Sequence, residues 1–399
     1  MGLLSPNITE RANAFFSVHG IPVGPKLWGH GSDSVVASGL AHHEMGVDSK
    51  ENLALARQYQ SALFDAGLAW LSGPVEFGGS DFSRSEVEQF RSIASNFTTI
   101  DASVFMIGQQ IIAPAILAYG SGSQKKKYLR DLYRGSLIGC QLFSEPDAGS
   151  DLASLRCRAQ KVEGGWQITG QKVWSSGAHW SDFGELLART NEDLNLRHRG
   201  LTMFLINMKA SEVTVRPLRQ MNGNSHFNHV FIDNLFVDDS EVLGPIGNGW
   251  DVANASLKSE RDLNPADAGL FLDISNRLLE LSQTLGPQSS IMRQELAGVI
   301  TREKIAVWMR DSLKVSGTNV SGVSSSIMKL YESRSVWKIA QLAAQILGPR
   351  IVADSGAWGT YAWSDLLLGA HSQRIAGGTD EIQLNIIGER GLGLPREPR

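Results

Sequence analysis

Apolar positions in the first third of the chain recur at three- and four-residue spacing, the mark of helices with one buried face. Leu55, Tyr59, Ala62, Leu63 and Ala66 fall on one such face; Asp48 and Glu51 ahead of them have capping-box spacing, and Gly67 stops the helix. A second helix is predicted from Ser85 to about Phe97. Residues Ile107 to Tyr119 are apolar nearly all round, which predicts a buried helix ended by Gly120 and Gly122, and a basic helix begins near Ser123. From about Leu137 the period becomes two. Trp166 to Thr169, Leu201 to Ile206, Val213 to Val215 and His229 to Val237 read as strands, with a hairpin signal at Glu163-Gly164-Gly165 and a turn at Asn222-Gly223-Asn224. These imply a small antiparallel barrel or sandwich. The cluster Gly244-Pro-Ile-Gly-Asn-Gly249 ends it, and helical periodicity returns at Trp250. Its clearest instance is the stripe Val336, Ile339, Ala340, Ala343, Ile346 and Leu347, closed by Gly348 and Pro349. No internal repeat is found. The fold class is α+β with a separable β unit.

Composition narrows the partners. A length of 399 residues with 42% hydrophobic content suits two or three domains with a sizeable core. A net charge of -4 with mixed signs gives no footprint for nucleic acid, and Lys125-Lys126-Lys127 reads as a solvated helix face. Cys140 and Cys157 are too few for a zinc cluster or a disulfide framework. The start of the sequence does not resemble a signal peptide, so a cytoplasmic protein is expected, and no apolar run is long enough for a membrane span. The phosphate-binding G-x-x-x-x-G-K-S/T loop and the strand-linked G-x-G-x-x-G are missing, and His42-His43-Glu44 lacks zinc-helix spacing. A small-molecule partner is what remains.

Two dense motifs carry the chemistry: Ser144-Glu-Pro-Asp-Ala-Gly-Ser-Asp151 and Gly170-Gln-Lys-Val-Trp-Ser-Ser176. Each gathers hydroxyls and glycines, and the second adds a large aromatic. Such residues bond the edge of a flat polar ring through hydroxyls and backbone amides while Trp174 covers a face. Either motif alone is also read as turn residues beside a core tryptophan. Together they resemble the flavin-binding signatures of the acyl-CoA dehydrogenase family, T/S-E-P-x-A-G-S-D and G-x-K-x-W-I/T-S/T, and the resemblance extends over almost the whole chain. It implies an N-terminal helical domain (residues 1–136), a middle antiparallel β domain (137–244) and a C-terminal four-helix bundle domain (245–399), with FAD held between the last two. It places Gln141, Phe143, Ser144, Ser150, Trp174, Ser175 and Ser176 along the flavin, Ser144 and Ser176 near N5, and Ser150 at the mouth of the acyl-CoA channel, where its plainer role is to cap a turn beside Asp151.

Family members remove a proton from the α carbon of an acyl-CoA thioester while hydride leaves the β carbon for the flavin. A carbon acid this weak requires a carboxylate base in apolar surroundings, hydrogen bonds on the thioester oxygen and an adjacent hydride acceptor. The segment Gly377-Gly378-Thr379-Asp380-Glu381-Ile382-Gln383 resembles the family's Y-E-G-T-x-x-I-Q, in which the glutamate is the base; here that letter is Gly377. The Gly377 backbone N–H still suits the thioester carbonyl. A branch of the family carries its base in an L-x-x-E-R segment on another helix, and Leu257-Lys-Ser-Glu260-Arg261 makes Glu260 the candidate; its plainer reading is an ordinary helix glutamate. The resemblance sets Thr379, Asp380 and Glu381 near the dinucleotide part of FAD, and Gln345 and Gly348 in the counterpart of the Q-I-x-G-G turn near the pyrophosphate, where Pro349 removes a backbone donor. The counterpart of the R-x-x-F-G segment is Ser282-Gln-Thr-Leu285-Gly286, which lacks the arginine and the aromatic.

The resulting expectation is an FAD-dependent dehydrogenase that converts an acyl-CoA thioester to the trans-2-enoyl-CoA, as in β-oxidation of fatty acids or other lipids. Electrons pass to an electron-transfer flavoprotein, and the chain is a homo-oligomer (dimer or tetramer) or half of a heterotetramer. The alternatives are a non-catalytic partner subunit of such a heterotetramer and a flavoprotein that reacts with oxygen. The closing run Ile386 to Arg396 resembles the tails of actinobacterial members, some of which act on branched, aromatic or steroid side-chain thioesters.

Overall fold

The structure is a computed structural model, described here over residues 7–23, 49–262, 270–286, 289–315, 322–352 and 360–396. The chain divides after Ser259 into two compact units. The first opens with α1 (Ile8–His19), β1 (Ile21–Pro22), α2 (Lys50–Asp65), α3 (Arg84–Ala94), β2 (Phe97–Thr98), α4 (Ala113–Tyr119) and α5 (Gly122–Arg134). Side-chain caps start these helices: Asn7, Ser83 and Ser121 each form a full capping box. The start of α2 differs from expectation. Asp48 lies outside the described residues, and the cap is Ser49, whose hydroxyl accepts from Asn52 N. The predicted helix over 107–119 opens as a π-helical turn, Ile107–Ile112, before α4 continues it.

The strands are β3 (Gly139–Leu142), β4 (Arg158–Val162), β5 (Gly165–Ser176), β6 (Phe183–Arg189), β7 (Leu201–Asn207), β8 (Val213–Leu218), β9 (Phe227–Asp238) and β10 (Val242–Leu243). They form one eight-stranded sheet in the order β10-β7-β6-β4-β5-β9-β8, with β3 pairing β6. Most pairs are antiparallel as expected, but β3 and β4 both run parallel to β6, with Gln141 opposite Glu185, Leu142 opposite Leu186 and Arg158 opposite Arg189. Strands β3, β4 and β6 escape an alternation search. All seven residues of β6 are buried, because one face lies in the sheet's own core with Leu142, Phe204 and Ile206 while the other meets helices, so no polar face survives in its sequence.

The first unit's helices are joined to the sheet by packing and polar ties. Phe183 packs on Tyr128 with centroids 4.8 Å apart, and Tyr128 Oη donates to Glu241 at 2.7 Å. Gln124 Nε2 donates to the carbonyls of Ser240 and Val242, and Arg57 pairs with Asp182 at 3.3 Å. Gly139 is required by closeness: a Cβ there would lie 2.9 Å from Phe183 and 3.0 Å from Ile112. Cys140 and Cys157 are buried thiols, pushed up to about 12 and about 11 chiefly by burial, which keeps both protonated and unreactive.

Helix α6 (Gly249–Asp262) begins in the first unit. The second contains α7 (Leu270–Thr284), α8 (Ser290–Val315), α9 (Gly322–Leu347), α10 (Thr360–Gln373) and α11 (Asp380–Ile386). The stripe read from sequence on α9 forms its core with Leu278, Leu281, Trp363 and Leu366. Among the described residues no helix is long and apolar enough to cross a membrane, and no cluster of potential metal ligands occurs. Trp363 is fully buried at the centre of this core. Trp363→Ala should therefore lower unfolding stability by about 3–5 kcal/mol, read as a shift in the urea midpoint; an unchanged midpoint would contradict the packing.

Candidate active site

The two signature motifs are one structure. Strand β3 runs into Phe143-Ser144, and Glu145 and Ala148 then close a tight turn by exchanging backbone bonds of 3.0 and 3.1 Å, leaving Pro146 and Asp147 at the exposed tip. From β5, Lys172 reaches across with its side chain fully buried, its ammonium 2.8 Å from Glu145 Oε1 and 2.9 Å from the Phe143 carbonyl. Glu145 also accepts from the backbone N–H groups of Arg156 (2.7 Å) and Cys157 (2.9 Å). Each charge of the pair is thus hydrogen-bonded beyond its partner, the condition under which buried charges are tolerated. Val173 N donates to the Ser144 carbonyl at 2.8 Å, completing the joint.

Beyond that joint the backbone is bent. The β5–β9 register slips between Lys172 and Ser175, and Trp174 takes φ +63°, a left-handed conformation that is strained for an aromatic residue. Trp174 is thereby turned out of the sheet, 59% exposed, its ring edge on Phe227 at 5.7 Å. Ser175 is buried and Ser176 half-buried beside it; Ser144 is half-buried, Phe143 buried and Ser150 exposed. Arg189 holds the loop after the first motif, donating to the carbonyls of Ala153 (2.7 Å) and Leu155 (3.1 Å), while Asp151 pairs with Arg197 at 2.5 Å.

Three buried polar atoms around these motifs have no hydrogen-bond partner among the described residues: Gln141 Nε2, Ser175 Oγ and Asn228 Oδ1. Buried polar atoms are otherwise nearly always bonded, so unanswered donors and acceptors beside an outward-turned indole fit a flat ligand with polar edges, as a flavin is.

In the second unit, Gly377 and Gly378 have φ +64° and +93°, and Gln383 Nε2 donates to both their carbonyls at 3.0 and 3.2 Å. A side chain at Gly377 would be strained by about 1–2 kcal/mol, so a carboxylate there would sit on unfavourable backbone. Thr379 caps α11 by accepting from Ile382 N. Asp380, 1% exposed, is held by Arg374 Nε (2.9 Å), Arg334 Nε (3.3 Å) and Ser333 Oγ (3.1 Å). Burial pushes its carboxyl up, but these bonds outweigh burial and leave it below the usual range. Its side chain is taken up in bracing the loop, whereas Glu381 beside it is exposed. Gln345, exposed, lies near the far end of α9, about 16 Å along the axis from Arg334 at 1.5 Å per residue, and Gly348, at φ +54°, follows the end of that helix. They do not join the Thr379–Glu381 group. Glu260 lies in the last turn of α6, and its side chain is outside the described residues.

Sequence reasoning passed over Glu145, Lys172, Arg189, Asn228 and Glu185. The signal for the first two was present as the acid and the lysine of the signatures, and Glu185 is a lone acid within an apolar run. Lys172→Met should destabilise the protein by about 3–5 kcal/mol through the unpaired Glu145 left behind. Adding Glu145→Gln should recover part of that loss; strict additivity in urea melts would show that the pair is not coupled.

The acyl-CoA dehydrogenase N-terminal, middle and C-terminal domains match residues 25–136, 140–235 and 247–392. Acyl-CoA dehydrogenase FadE34 of Mycobacterium tuberculosis is 35% identical over 84% of this chain, which spans only 46% of that protein's length. Acyl-CoA dehydrogenase IpdE1 of the same organism is 32% identical, with 92% of this chain and 96% of the relative aligned. Among solved structures, the Tcur3481-Tcur3483 steroid ACAD superposes with a TM-score of 0.77 over the full length of both chains at 21% identity, a likeness of fold. The ChsE4-ChsE5 complex from Mycobacterium tuberculosis superposes at 0.75, covering 90% of this chain and 96% of the other at 24% identity. With its paired signatures folded into one joint and all three domains matched, the chain belongs to the acyl-CoA dehydrogenase family.

Proposed function

We propose that this chain is an FAD-dependent dehydrogenase of acyl-CoA thioesters that forms the trans-2-enoyl-CoA and hands its electrons to an electron-transfer flavoprotein. The observation that carries the reading is the joint between the two signatures, with its unanswered polar atoms on Gln141, Ser175 and Asn228. FAD bound there would accept the hydride lost from the substrate β carbon. The chain's own residues do the rest. Trp174 would cover a face of the ring, Ser144, Ser175 and Ser176 would bond its edge, and Gln141 would lie beside it. The Glu260 carboxylate takes the α proton, and the Gly377 N–H bonds the thioester oxygen as negative charge gathers on it. Gly377 leaves the family's other base position without a carboxylate, which is why the proton falls to Glu260.

The same glycine supports a second reading, a subunit that completes a heteromer whose partner supplies a base. The structural neighbours include a ChsE4-ChsE5 complex, a two-component assembly in that case. Mass analysis of the protein co-purified with its cellular partners distinguishes a homo-oligomer from a heterotetramer.

Anaerobic mixing with a panel of acyl-CoA thioesters should bleach the flavin absorbance, and the preferred thioester names the substrate class. No bleaching by any thioester, with or without a co-purified subunit, would defeat the dehydrogenase reading. Glu260→Gln keeps shape and removes proton acceptance, so flavin reduction should slow by about 100-fold or more at unchanged FAD content; reduction at the parental rate would discard Glu260 as the base. Trp174→Ala should lower FAD occupancy, measured as flavin released per chain.

A further inference from the structure

Glu185 is the feature that the proposed chemistry leaves unused. It sits on β6 with no exposed surface, its Oε1 accepting from Ser256 Oγ of α6 at 2.7 Å and its Oε2 without a partner among the described residues. Its neighbour in register on the parallel strand β3 is Gln141, whose Nε2 is likewise buried and unpartnered. Residues in register on adjacent strands project from the same face of a sheet, and strands lie about 4.8 Å apart, so the two orphan atoms belong to one small polar locus on the side away from the sheet's core.

The chemistry of the locus is specific. The Ser256 hydroxyl donates to Oε1 at 2.7 Å in preference to the Val252 carbonyl at 3.5 Å, so in the uncharged acid the proton resides on Oε2, the oxygen without a partner. Gln141 Nε2 is also a donor. Two donors facing one locus call for an acceptor with two lone pairs, and a charged occupant is disfavoured by the fully buried surroundings.

We propose that Gln141, Glu185 and Ser256 frame a site for one uncharged acceptor oxygen, and that Glu185 stands there as a neutral acid donating to it, a positioning residue that links flavin-motif strand β3 to helix α6. The oxygen comes either from an ordered water or from a carbonyl of the group bound beside Gln141; only the second source rests on the function proposed above. The surroundings agree with a neutral acid. Burial pushes the Glu185 carboxyl up to about 8, the Ser256 hydroxyl opposes this weakly, and no charged group contributes. Its partners in register are Gln141 on β3 and Leu205 on β7, and its hydrogen-bond partner is Ser256 on α6, all uncharged.

The sign of the pH dependence follows. Below about 4.5 the carboxyl is protonated in both folded and unfolded chains. Between there and about 8 the unfolded chain has lost the proton that the folded one keeps, so stability falls as pH rises and levels off above. Urea unfolding of the parent from pH 5 to 9 should show this decline, and Glu185→Gln, which stays neutral, should flatten it; this measurement needs no flavin. Crystals at water-resolving resolution, flavin-free and flavin-loaded, should show an oxygen within about 3.2 Å of both Gln141 Nε2 and Glu185 Oε2. Water in both forms assigns the first source, and a ligand carbonyl in the loaded form the second. Glu185→Gln should retain this oxygen and Glu185→Leu should lose it. If the variants do not fold, infrared titration of the parent still decides, through a protonated-carboxyl band that persists at pH 7 and disappears near pH 8. A direct Gln141–Glu185 contact with no intervening oxygen, a parental carboxyl already ionised at pH 7, or the same stability slope in parent and Glu185→Gln would each overturn the proposal.

Discussion

The buried pair of Lys172 and Glu145 is the constraint on which the rest of the candidate site depends. Neither charge is tolerable alone in that position, and neither motif can be built without the other, because the lysine comes from β5 and the glutamate from the turn after β3. The pair fixes more than a distance. Glu145 orders Arg156 and Cys157 through their backbone N–H groups, Lys172 holds the Phe143 carbonyl, and the register slip that follows turns Trp174 outward. A structural ion pair therefore sets the direction of an exposed aromatic, and the strain at Trp174 is supported by ordered structure on both sides.

The legibility of the fold varied with how each element is solvated. Helices with one wet face, such as α5 and the stripe on α9, announce themselves by period, and their ends by caps and glycine. Strand β6 does not, since burial on both sides removes the polar positions that mark alternation, and β3 is too short to show a period. The parallel β3–β6 pairing is likewise invisible in sequence, because it depends on where a distant strand returns. The π turn at Ile107–Ile112 reads as ordinary helix, there being no residue type that announces it.

The site was legible in its letters and less so in their roles. Trp174, Ser175 and Ser176 follow a register slip that turns the indole outward, yet the glutamate and lysine between the more conspicuous residues do the joining. Asp380 shows the converse. Its place in a glycine-rich motif suggests a ligand contact, while two arginines and a serine engage its carboxylate within the second unit. Gly377 is informative through its backbone: its left-handed φ suits a residue without a side chain, so the missing carboxylate and the local conformation agree.

The parallel pairing of β3 with β6 has a consequence for how the protein is made. Ile138 and Asp182, at the entry to these strands, are 44 residues apart in sequence and bonded in space, and both cofactor signatures lie on the chain between them. Parallel strands require such a crossover, and closing it is a non-local and therefore slow event. During synthesis neither signature can take its final form until Phe183–Arg189 has left the ribosome and docked. The half-made protein thus carries every letter of the first signature without the partners that shape it, so the joint between the two signatures is deferred until the sheet has closed.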